Sequence, residues 1–407
     1  MGVLDGVKVV ELAEHGFVPS CAAILGDWGA DVVKVERPTG DPLRAIMGAG
    51  FVTDTGDVNF LWEHINRNKR GIALDLRVPE GRTAFTALIE QADVFVTNFL
   101  PSARAKLRTN PEDLWAVNPR LVYAKGHGQG QMGPDADAGG FDSVSYWARG
   151  GVGHIVTPAE GPMVMQRAAM GDAPSGAMLA GGIAAALFNR ERTGKGMVVD
   201  VSLLNFAVWQ IGVDLTATTI TREDPPKMNN AVARSNPLVG PHKTADGRWL
   251  ILNMIDDTRH WAPACRALGL DDLVDDPRCV DTATRALHAQ ELHDRIRAAI
   301  ETRALADLQQ RLRAEDTISA VLASPLEVID DPQVVANGYL APHPAHPTMR
   351  VATAPMQFDD EHVVVRRAAP GIGEHTDEVL SEAGFSADQI TALREAGALG
   401  ETVLPPA

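Results

Sequence analysis

The first part of the chain alternates between Val-rich stretches and helical stretches, and this alternation constrains the fold more than any other feature. Residues 7–12 and 31–36 are predicted as buried strands, because β-branched residues dominate them. Residues 19–28 between them are predicted as a helix that ends near Gly29. A strand, a short helix and a second strand make a βαβ unit, so we expect a parallel sheet.

The same pattern continues further along, and it divides the chain into domains. Strands are predicted at 71–76, 93–99 and 121–125, with a helix at 80–91, and an amphipathic helical hairpin is predicted at 284–315. We expect the α/β class, with a doubly wound large domain and a smaller helix-rich α/β domain. The predicted bounds are 1–205 for the large domain, 206–247 for a linker, 248–325 for the small domain, and 326–407 for a return linker and C-terminal segment that completes the large domain.

Charge and cysteine usage narrow the range of partners and compartments. The chain of 407 residues carries 37 Lys and Arg against 53 Asp and Glu, a net charge of −16, which disfavours a general binder of nucleic acid or anionic membranes. The three cysteines lack C-x-x-C spacing, which favours a reducing compartment. No apolar run reaches the ~18 residues of a membrane span, and the N-terminus lacks a signal-peptide pattern. We expect a cytoplasmic protein without nucleic-acid or membrane partners.

One glycine motif is misleading. Residues 128–133 match G-x-G-x-x-G and follow a predicted strand, but Pro134, Asp135 and two further glycines come next instead of a helix. A dinucleotide fingerprint must open a helix whose N-terminus meets the pyrophosphate, so a tight turn is the better interpretation and a dehydrogenase is disfavoured. No histidine or cysteine spacing indicates a metal site.

Basic residues follow several predicted strands. Arg67, Lys69 and Arg70 precede one strand, Arg37 follows the second, and Arg104 and Lys106 follow a later one. Each of them alone is compatible with a solvated surface charge. Because open α/β sheets bind ligands at the carboxyl ends of their strands, the set favours a phosphate-bearing ligand.

Asp172 stands before a small-residue helix, with Pro174 in the predicted first turn. Capping of that helix is the simple interpretation, since Asp is a preferred N-cap. The same place suits chemistry, because the helix dipole favours an ionised carboxylate and unpaired N–H groups can stabilise an oxyanion. We therefore consider Asp172 a candidate nucleophile on an acyl carbon.

Eight short segments follow one another in a specific order along nearly the whole chain. They are Leu4–Glu11, Leu25–Pro38 with Gly40-Asp41, Asn66–Arg70, Ala92–Val94 with Asn98-Phe99, Asn118–Leu121, Gly171-Asp172, Arg192–Gly196 and Val199–Ser202. Each segment is weak alone, but their order and spacing are specific. With them the chain resembles the family III CoA-transferases, which include formyl-CoA transferase, carnitine CoA-transferase and the α-methylacyl-CoA racemases.

The resemblance implies a Rossmann-like large domain, an interlocked homodimer and a set of site residues. Asp172 matches the catalytic aspartate, which takes CoA from an acyl-CoA to a carboxylic acid through a mixed anhydride and an aspartyl-CoA thioester. Asp142 matches an often acidic position that supports the site. Coenzyme A or acyl-CoA is then a substrate, with no permanently bound cofactor and no metal. The implied CoA-binding residues are His15, Gly16, Arg37, Leu74, Arg77, Asn98, Phe99, Arg104 and Lys106.

Two departures from the family pattern leave alternatives open. Phe141 stands where the racemases carry a histidine, which favours a transferase over an acyl-CoA racemase or isomerase. A glycine run that forms a lid in formyl-CoA transferase is missing from residues 231–240. A catalytically silent CoA-binding protein is the third alternative. The acids themselves are not identified, although His15, His127, Met170 and Arg234 are candidates for contacts with the acceptor.

Overall fold

The computed structural model describes residues 2–49, 53–227 and 234–404. The chain forms two compact units. The first comprises Met1–Thr157, Pro162–Pro226 and Pro332–Ala407, and the second comprises Pro158–Gly161 and Lys227–Asp331.

The first unit contains the alternating strands and helices that the sequence predicts. Its strands and α-helices before Pro226 are β1 (Lys8–Leu12), α1 (Phe17–Asp27), β2 (Asp31–Glu36), α2 (Phe60–Asn66), β3 (Lys69–Ala73), α3 (Pro79–Gln91), β4 (Val94–Thr97), α4 (Pro101–Leu107), α5 (Pro111–Trp115), β5 (Val122–His127), α6 (Val152–Val156), α7 (Asp172–Thr193), β6 (Val198–Ser202), α8 (Leu203–Gln210) and α9 (Gly212–Thr221).

The six strands form one sheet in the order β3-β2-β1-β4-β5-β6. Every neighbouring pair is parallel, for example Val10 with Val33 of β2 and with Phe95 of β4. The predicted α/β class with a parallel sheet is therefore confirmed. In this order the chain changes direction between β1 and β4, the place where doubly wound sheets open a crevice for ligands.

Apolar side chains on both faces hold the sheet. One face packs against α1 and α7, where Val18, Leu25 and Leu179 are fully buried. The other face packs against α3 and the C-terminal helices through Phe85 and Leu380. Burial on both faces explains why these strands are continuous Val-rich runs instead of alternating ones.

β3 begins and ends earlier than predicted, and its first two residues are buried in ion pairs. Lys69 lies 2.7 Å from Glu11, and Arg70 pairs with Asp31 on the neighbouring strand. Arg67, just before β3, pairs with Asp27. The interpretation of this basic cluster as part of a phosphate site is therefore wrong, since all three cations are neutralised within the protein.

The second unit combines a small sheet with helices around its own apolar core. Leu250, Leu268 and Leu308 are fully buried in that core. β7, β8 and β9 form an antiparallel sheet in that order. The elements are β7 (Val239–Lys243), β8 (Trp249–Asn253), α10 (Asp257–Leu268), α11 (Thr282–Leu287), α12 (Ala289–Glu301), α13 (Leu305–Ala314), β9 (Ser319–Val321) and α14 (Pro325–Val328).

Two sequence interpretations differ from the observed elements here. The expected linker 206–247 contains most of α8, all of α9 and β7, so much of it is regular structure. The predicted helical hairpin consists of three helices, because His288 interrupts the first pair with non-helical backbone angles.

The C-terminal part of the first unit returns to the large sheet. It contains α15 (Pro332–Ala336), β10 (Leu340–Pro342), β11 (Arg350–Ala352), α16 (Thr376–Glu382) and α17 (Ala387–Glu395). β10 and β11 pair antiparallel, and Leu399 forms a bridge with Leu74 just after β3. Across the described ranges, no helix combines the length and apolar character needed to cross a lipid bilayer.

Candidate active site

A cavity of about 730 Å³ opens in the first unit at the carboxyl ends of the strands. This is the edge at which parallel α/β sheets bind their ligands. Eight of the residues predicted for the site line this cavity: His15, Gly16, Arg37, Leu74, Arg77, Asn98, Phe99 and Asp172.

Three predicted residues do not line the cavity. Arg104 is buried, and its guanidinium donates to the Phe99 carbonyl and to Gln131. Lys106 is exposed elsewhere on α4, two positions further along the helix. Asp142 is buried behind Gly171, whose N–H donates to the Asp142 carboxylate over 3.3 Å. Direct CoA contact through Arg104 and Lys106 therefore finds no support in the cavity's lining.

Asp172 is the first residue of α7 and does not cap it. The N-cap is Gly171, and no side chain makes a capping hydrogen bond. Among the residues that the structure describes, none donates a hydrogen bond to the Asp172 carboxylate. The capping interpretation is wrong, and the carboxylate is available to a ligand in the cavity.

The protonation of Asp172 differs from the sequence expectation. Burial in the cavity wall and, second, the negative charge of Asp142 raise the pKa of Asp172 to about 8. Desolvation disfavours the charged form, and a nearby like charge adds to the effect. The helix N-terminus therefore does not keep this carboxyl group ionised at neutral pH, as the sequence had suggested.

Two glycines allow the backbone to approach the Asp172 carboxyl closely. A Cβ at Gly16 would lie 2.3 Å from Asp172 Oδ2, so any side chain there would displace the carboxylate. A Cβ at Gly171 would lie 2.7 Å from the Tyr146 ring and 2.9 Å from Asp142 Cβ. The β1–α1 turn and the start of α7 thus meet at the carboxylate.

His15 and Asn98 shape the wall next to Asp172. His15 adopts a left-handed backbone with a φ of 64°, and its ring meets Phe141 edge-on at 5.1 Å between centroids. The Asn98 amide donates to the Glu14 carbonyl over 2.6 Å and accepts from the Glu14 N–H. Asn98 therefore fixes the turn after β1, and its side-chain amide is largely committed to that backbone.

Two exposed cations lie at the β2 and β3 end of the cavity. Arg37 contacts Glu14 at 3.3 Å, and Arg77 pairs with Asp75 at 2.7 Å. Their side chains are 52% and 79% exposed, so a phosphate can reach both. At the other end, His127 lies at the carboxyl end of β5 and also lines the cavity.

The remaining candidates from the sequence have separate locations. Met170 is partly exposed and does not line the cavity, and Arg234 belongs to the second unit. Residues 128–133 form a turn in which Gly130 and Gly133 have positive φ, as their turn chemistry predicts. Of the segment 231–240, where the family's glycine run is missing, residues 231–233 lie outside the described residues.

Within the described ranges, one group has the composition of a metal site: Glu63, His343 and His346. The His343 Nδ1 accepts hydrogen bonds from the N–H groups of Ala345 and His346, which leaves the ring proton on Nε2. Nε2 donates it to Glu63 over 2.9 Å. If a metal bound Nε2, the ring proton would move to Nδ1 and would point at the two N–H groups that now donate to Nδ1. The group therefore fits a hydrogen bond between His343 and Glu63 better than a metal centre.

Several lining residues were missed by the sequence analysis, and a signal existed for some of them. Pro38, Thr39 and Gly126 all follow or end predicted strands, the positions where ligand contacts are expected. Leu203 and Gly140 carry no local signal, because only the folded chain brings them to the cavity.

Known proteins resemble this chain along nearly its whole length. The profile described as "CoA-transferase family III" matches residues 4–376. The (R)-2-hydroxy-4-methylpentanoate CoA-transferase of Clostridioides difficile is 31% identical over 395 residues, which are 97% of this chain and 98% of that protein. The succinyl-CoA:mesaconate CoA-transferase of Haloarcula marismortui is 33% identical, over 94% of this chain and 97% of that protein.

A solved structure has the same architecture. The CAIB/BAIF family protein from Brucella suis superimposes with a TM-score of 0.79 at 27% identity, covering 94% of this chain and 99% of that one. Together with the profile match, these similarities establish that the chain belongs to CoA-transferase family III.

Proposed function

We propose that this CoA-transferase moves CoA from an acyl-CoA thioester to a carboxylic acid through covalent intermediates on Asp172. The observation that carries the proposal is the Asp172 carboxylate itself. It lies in the wall of a 730 Å³ cavity, against Gly16, with no hydrogen bond from the described residues.

The cavity suggests how CoA would bind. Arg37 and Arg77 would take the phosphates at the β2 and β3 end, since both are exposed cations. Leu74 and Phe99 would contact the adenine or the pantetheine arm, and His15, Gly16 and Asn98 would border the thioester. Arg104 and Lys106 would act at most indirectly, because neither lines the cavity.

The chemistry can be written as balanced steps. An Asp172 oxygen attacks the thioester carbonyl, and the C–S bond breaks to give a mixed anhydride and CoA thiolate. The thiolate attacks the aspartyl carbonyl, which releases the donor carboxylate and leaves an aspartyl-CoA thioester. The acceptor carboxylate then repeats these steps in reverse. The acyl group stays activated throughout, provided that water is excluded from the anhydride.

Asp142 would support this chemistry through the Asp172 carboxyl. Asp142 is one of the two causes that raise the pKa of Asp172 to about 8, and it accepts the Gly171 N–H. A carboxylate with a raised pKa is a more basic and stronger nucleophile once it is deprotonated. Asp142 would therefore activate Asp172 and hold the start of α7.

The family resemblance also supports a Rossmann-like large domain and an interlocked homodimer. The strand order β3-β2-β1-β4-β5-β6 is that of Rossmann sheets. Within the described part of the single chain, α9 buries none of its side chains. A partner copy would cover such a surface. A cytoplasmic location fits the three cysteines, which are all unpaired.

One observation keeps the racemase alternative. His127 lines the same cavity as Asp172 and could serve as a second acid/base group in place of the histidine missing at Phe141. Deuterium from solvent entering the α-carbon of an acyl-CoA, without any acid acceptor, would favour a racemase over a transferase.

Mass spectrometry of the intact protein tests the transferase proposal. After incubation with an acyl-CoA, the wild-type protein should gain the mass of CoA less one water, and fragmentation should place it at Asp172. A panel of CoA donors and acids, beginning with succinyl, mesaconyl and 2-hydroxy-4-methylpentanoyl groups from the relatives' names, identifies the substrates. Full exchange activity in Asp172→Ala would refute the mechanism.

A further inference from the structure

Charged side chains form a buried cluster beneath the turn that carries His15 and Gly16. Lys34 Nζ lies 2.9 Å from Glu11 Oε1 and 3.0 Å from Asp41 Oδ2. The second lysine, Lys69, lies 2.7 Å from the other Glu11 oxygen. Three acids and three bases make up this buried charge cluster: Glu11, Glu36, Asp41, Lys34, Arg44 and Lys69.

The cluster is balanced and nearly dry, so none of its members is replaceable without cost. Glu11, Lys34 and Lys69 are fully buried on the neighbouring strands β1, β2 and β3. Burial of a charge is tolerated only when it is paired and hydrogen-bonded. None of these six residues lines the cavity, so we look for their effect in the backbone that they hold.

Asp41 connects this cluster to the backbone beside Asp172. Its Oδ1 accepts the N–H of His15 over 3.1 Å and that of Leu43 over 2.9 Å, while Oδ2 faces Lys34. His15 has the left-handed φ of 64°, a conformation that costs free energy for a residue with a side chain. The bond to Asp41 compensates for that strain and fixes the turn that places Gly16 against Asp172.

Asp41 also anchors a second wall of the same cavity. Its own N–H donates to Glu36 Oε2 over 2.8 Å, and Arg37 Nε donates to the Gly40 carbonyl over 3.0 Å. The loop held by these bonds includes Arg37 and Thr39, which line the cavity. Asp41 is thus bonded to the wall expected to meet the phosphates and to the wall beside the reacting carboxylate.

We infer that Asp41 is a positioning residue of this active site, which uses its buried contact with Lys34 to hold the His15–Gly16 turn and the Arg37 loop in register. The inference rests on the proposed function of Asp172. Burial raises the pKa of Asp41, but Lys34 and the N–H groups of Leu43 and His15 outweigh it and lower that pKa, so Asp41 stays ionised. Lys34 is buried and charged, so it requires the negative charge of Asp41 and not only an oxygen that accepts a hydrogen bond.

The test compares Asp41→Ala and Asp41→Asn with a matched control, Asp27→Asn. Asp27 is also buried in the first unit and pairs with Arg67 at 2.6 Å, but it contacts neither His15 nor the Arg37 loop. All proteins are compared at a temperature where each is folded, as shown by circular dichroism. Three quantities are measured: amide hydrogen exchange of segment 13–17, the Kd for CoA by calorimetry, and kcat for thioester exchange.

Asp41→Ala should speed exchange in segment 13–17, raise the Kd for CoA and lower kcat, each by about tenfold or more. Asp41→Asn should fall between it and the wild type, because Asn still offers an oxygen to His15. Asp27→Asn should lower the melting temperature without changing any of these three quantities. If Asp41→Ala does not fold, Asp41→Asn carries the same comparison.

The inference is overturned if both Asp41 variants keep wild-type protection of segment 13–17 and wild-type kcat, or if Asp27→Asn loses as much. Failure of the proposed function looks different. If the wild-type protein exchanges no thioester, hydrogen exchange and the CoA Kd still decide whether Asp41 holds the turn and the loop.

Discussion

At Asp172 two electrostatic effects oppose each other, and the structure decides between them. The position at the start of α7 favours a negative charge through the helix dipole, typically by roughly 0.3–1 kcal/mol. Desolvation and the charge of Asp142 act in the other direction and raise the pKa of Asp172 to about 8. Desolvation and the charge of Asp142 together exceed the effect of the helix dipole, so the Asp172 carboxyl is mostly protonated near pH 7.

This raised pKa predicts that Asp172→Asn stabilises the protein. The folded-state pKa lies above the usual 3.8, so the wild-type protein loses stability as pH rises from about 4 to about 8. The variant cannot ionise there and should be more stable at pH 8 by about 1–3 kcal/mol, after allowance for partial exposure. Urea unfolding at pH 4 and pH 8 checks this. An equal difference at both pH values would contradict it.

The pH profile of the reaction follows from the same carboxyl group. We expect kcat/KM for the acyl-CoA to rise with pH through about 8 as Asp172 ionises. In Asp142→Asn the midpoint should move to lower pH, because one cause of the raised pKa is gone while an oxygen remains for the Gly171 N–H. Initial rates of the wild type and of Asp142→Asn, measured from pH 5.5 to 9.5, give the two midpoints. An unshifted midpoint would show that Asp142 does not act on Asp172.

At the scale of elements, the site depends on how closely the β1–α1 turn and the start of α7 approach each other. α1 and α7 pack side by side on one face of the sheet, and a Cβ at Gly176 would lie 2.8 Å from the Phe17 carbonyl. Small residues let the two helices approach, which brings Gly16 against Asp172. The carboxylate is therefore placed by helix packing as well as by its own position in α7.

Gly16→Ala should abolish most of the activity while the fold survives. The new methyl group would lie 2.3 Å from Asp172 Oδ2 and would force the carboxylate to move. A displacement of about 1 Å costs about 100-fold in rate. Gly181→Ala in α7 is the matched control, since its Cβ meets nothing within 4 Å. Comparable losses in kcat for the two variants would refute the steric argument.

Arg37 and Arg77 follow β2 and β3 and line the part of the cavity that we expect to bind the phosphates of CoA. Arg37→Ala and Arg77→Ala should each raise the Kd for CoA about tenfold, and should leave the Kd for phosphate-free pantetheine nearly unchanged. Arg120→Ala is the control, because its side chain has the same 52% exposure as Arg37 but lies outside the cavity. If pantetheine binding weakens as much as CoA binding, the arginines do not contact phosphate.

At the scale of the whole molecule, a single chain leaves large apolar side chains exposed. Trp209 in α8 and Val213 and Ile220 in α9 are 76–85% exposed, and exposed apolar side chains that cluster, unlike single ones, mark interaction surfaces. They fall within twelve residues of the chain, on two consecutive helices. This surface supports the proposed homodimer more directly than the resemblance to the family does.

Light scattering should therefore give a mass of about 87 kDa, twice the 43.5 kDa of one chain. Because interlocked subunits separate only by unfolding, dilution to nanomolar concentration should not release monomer. A folded monomer at any concentration would contradict interlocking, while a 43.5 kDa mass throughout would contradict the dimer.

Part of this protein was predictable from local sequence. The Val-rich runs and the helices between them predicted the parallel sheet, because strand and helix periodicity is a property of neighbouring residues. The same logic placed Arg37 after a strand and Asp172 at a helix start, the family resemblance added Asn98 and Phe99, and the structure brings all four to one cavity.

What the sequence did not determine depends on residues far apart in the chain. Lys69 looked like a candidate ligand contact, yet it is neutralised by Glu11, 58 positions away. Arg104 turns inward to Gln131, and desolvation, followed by the charge of Asp142, raises the pKa of Asp172. The sequence alone determined the sheet and the position of the carboxylate along the chain. Tertiary structure decided its charge and its neighbours, because desolvation and Coulomb interactions depend on distance in space and not on order in the chain.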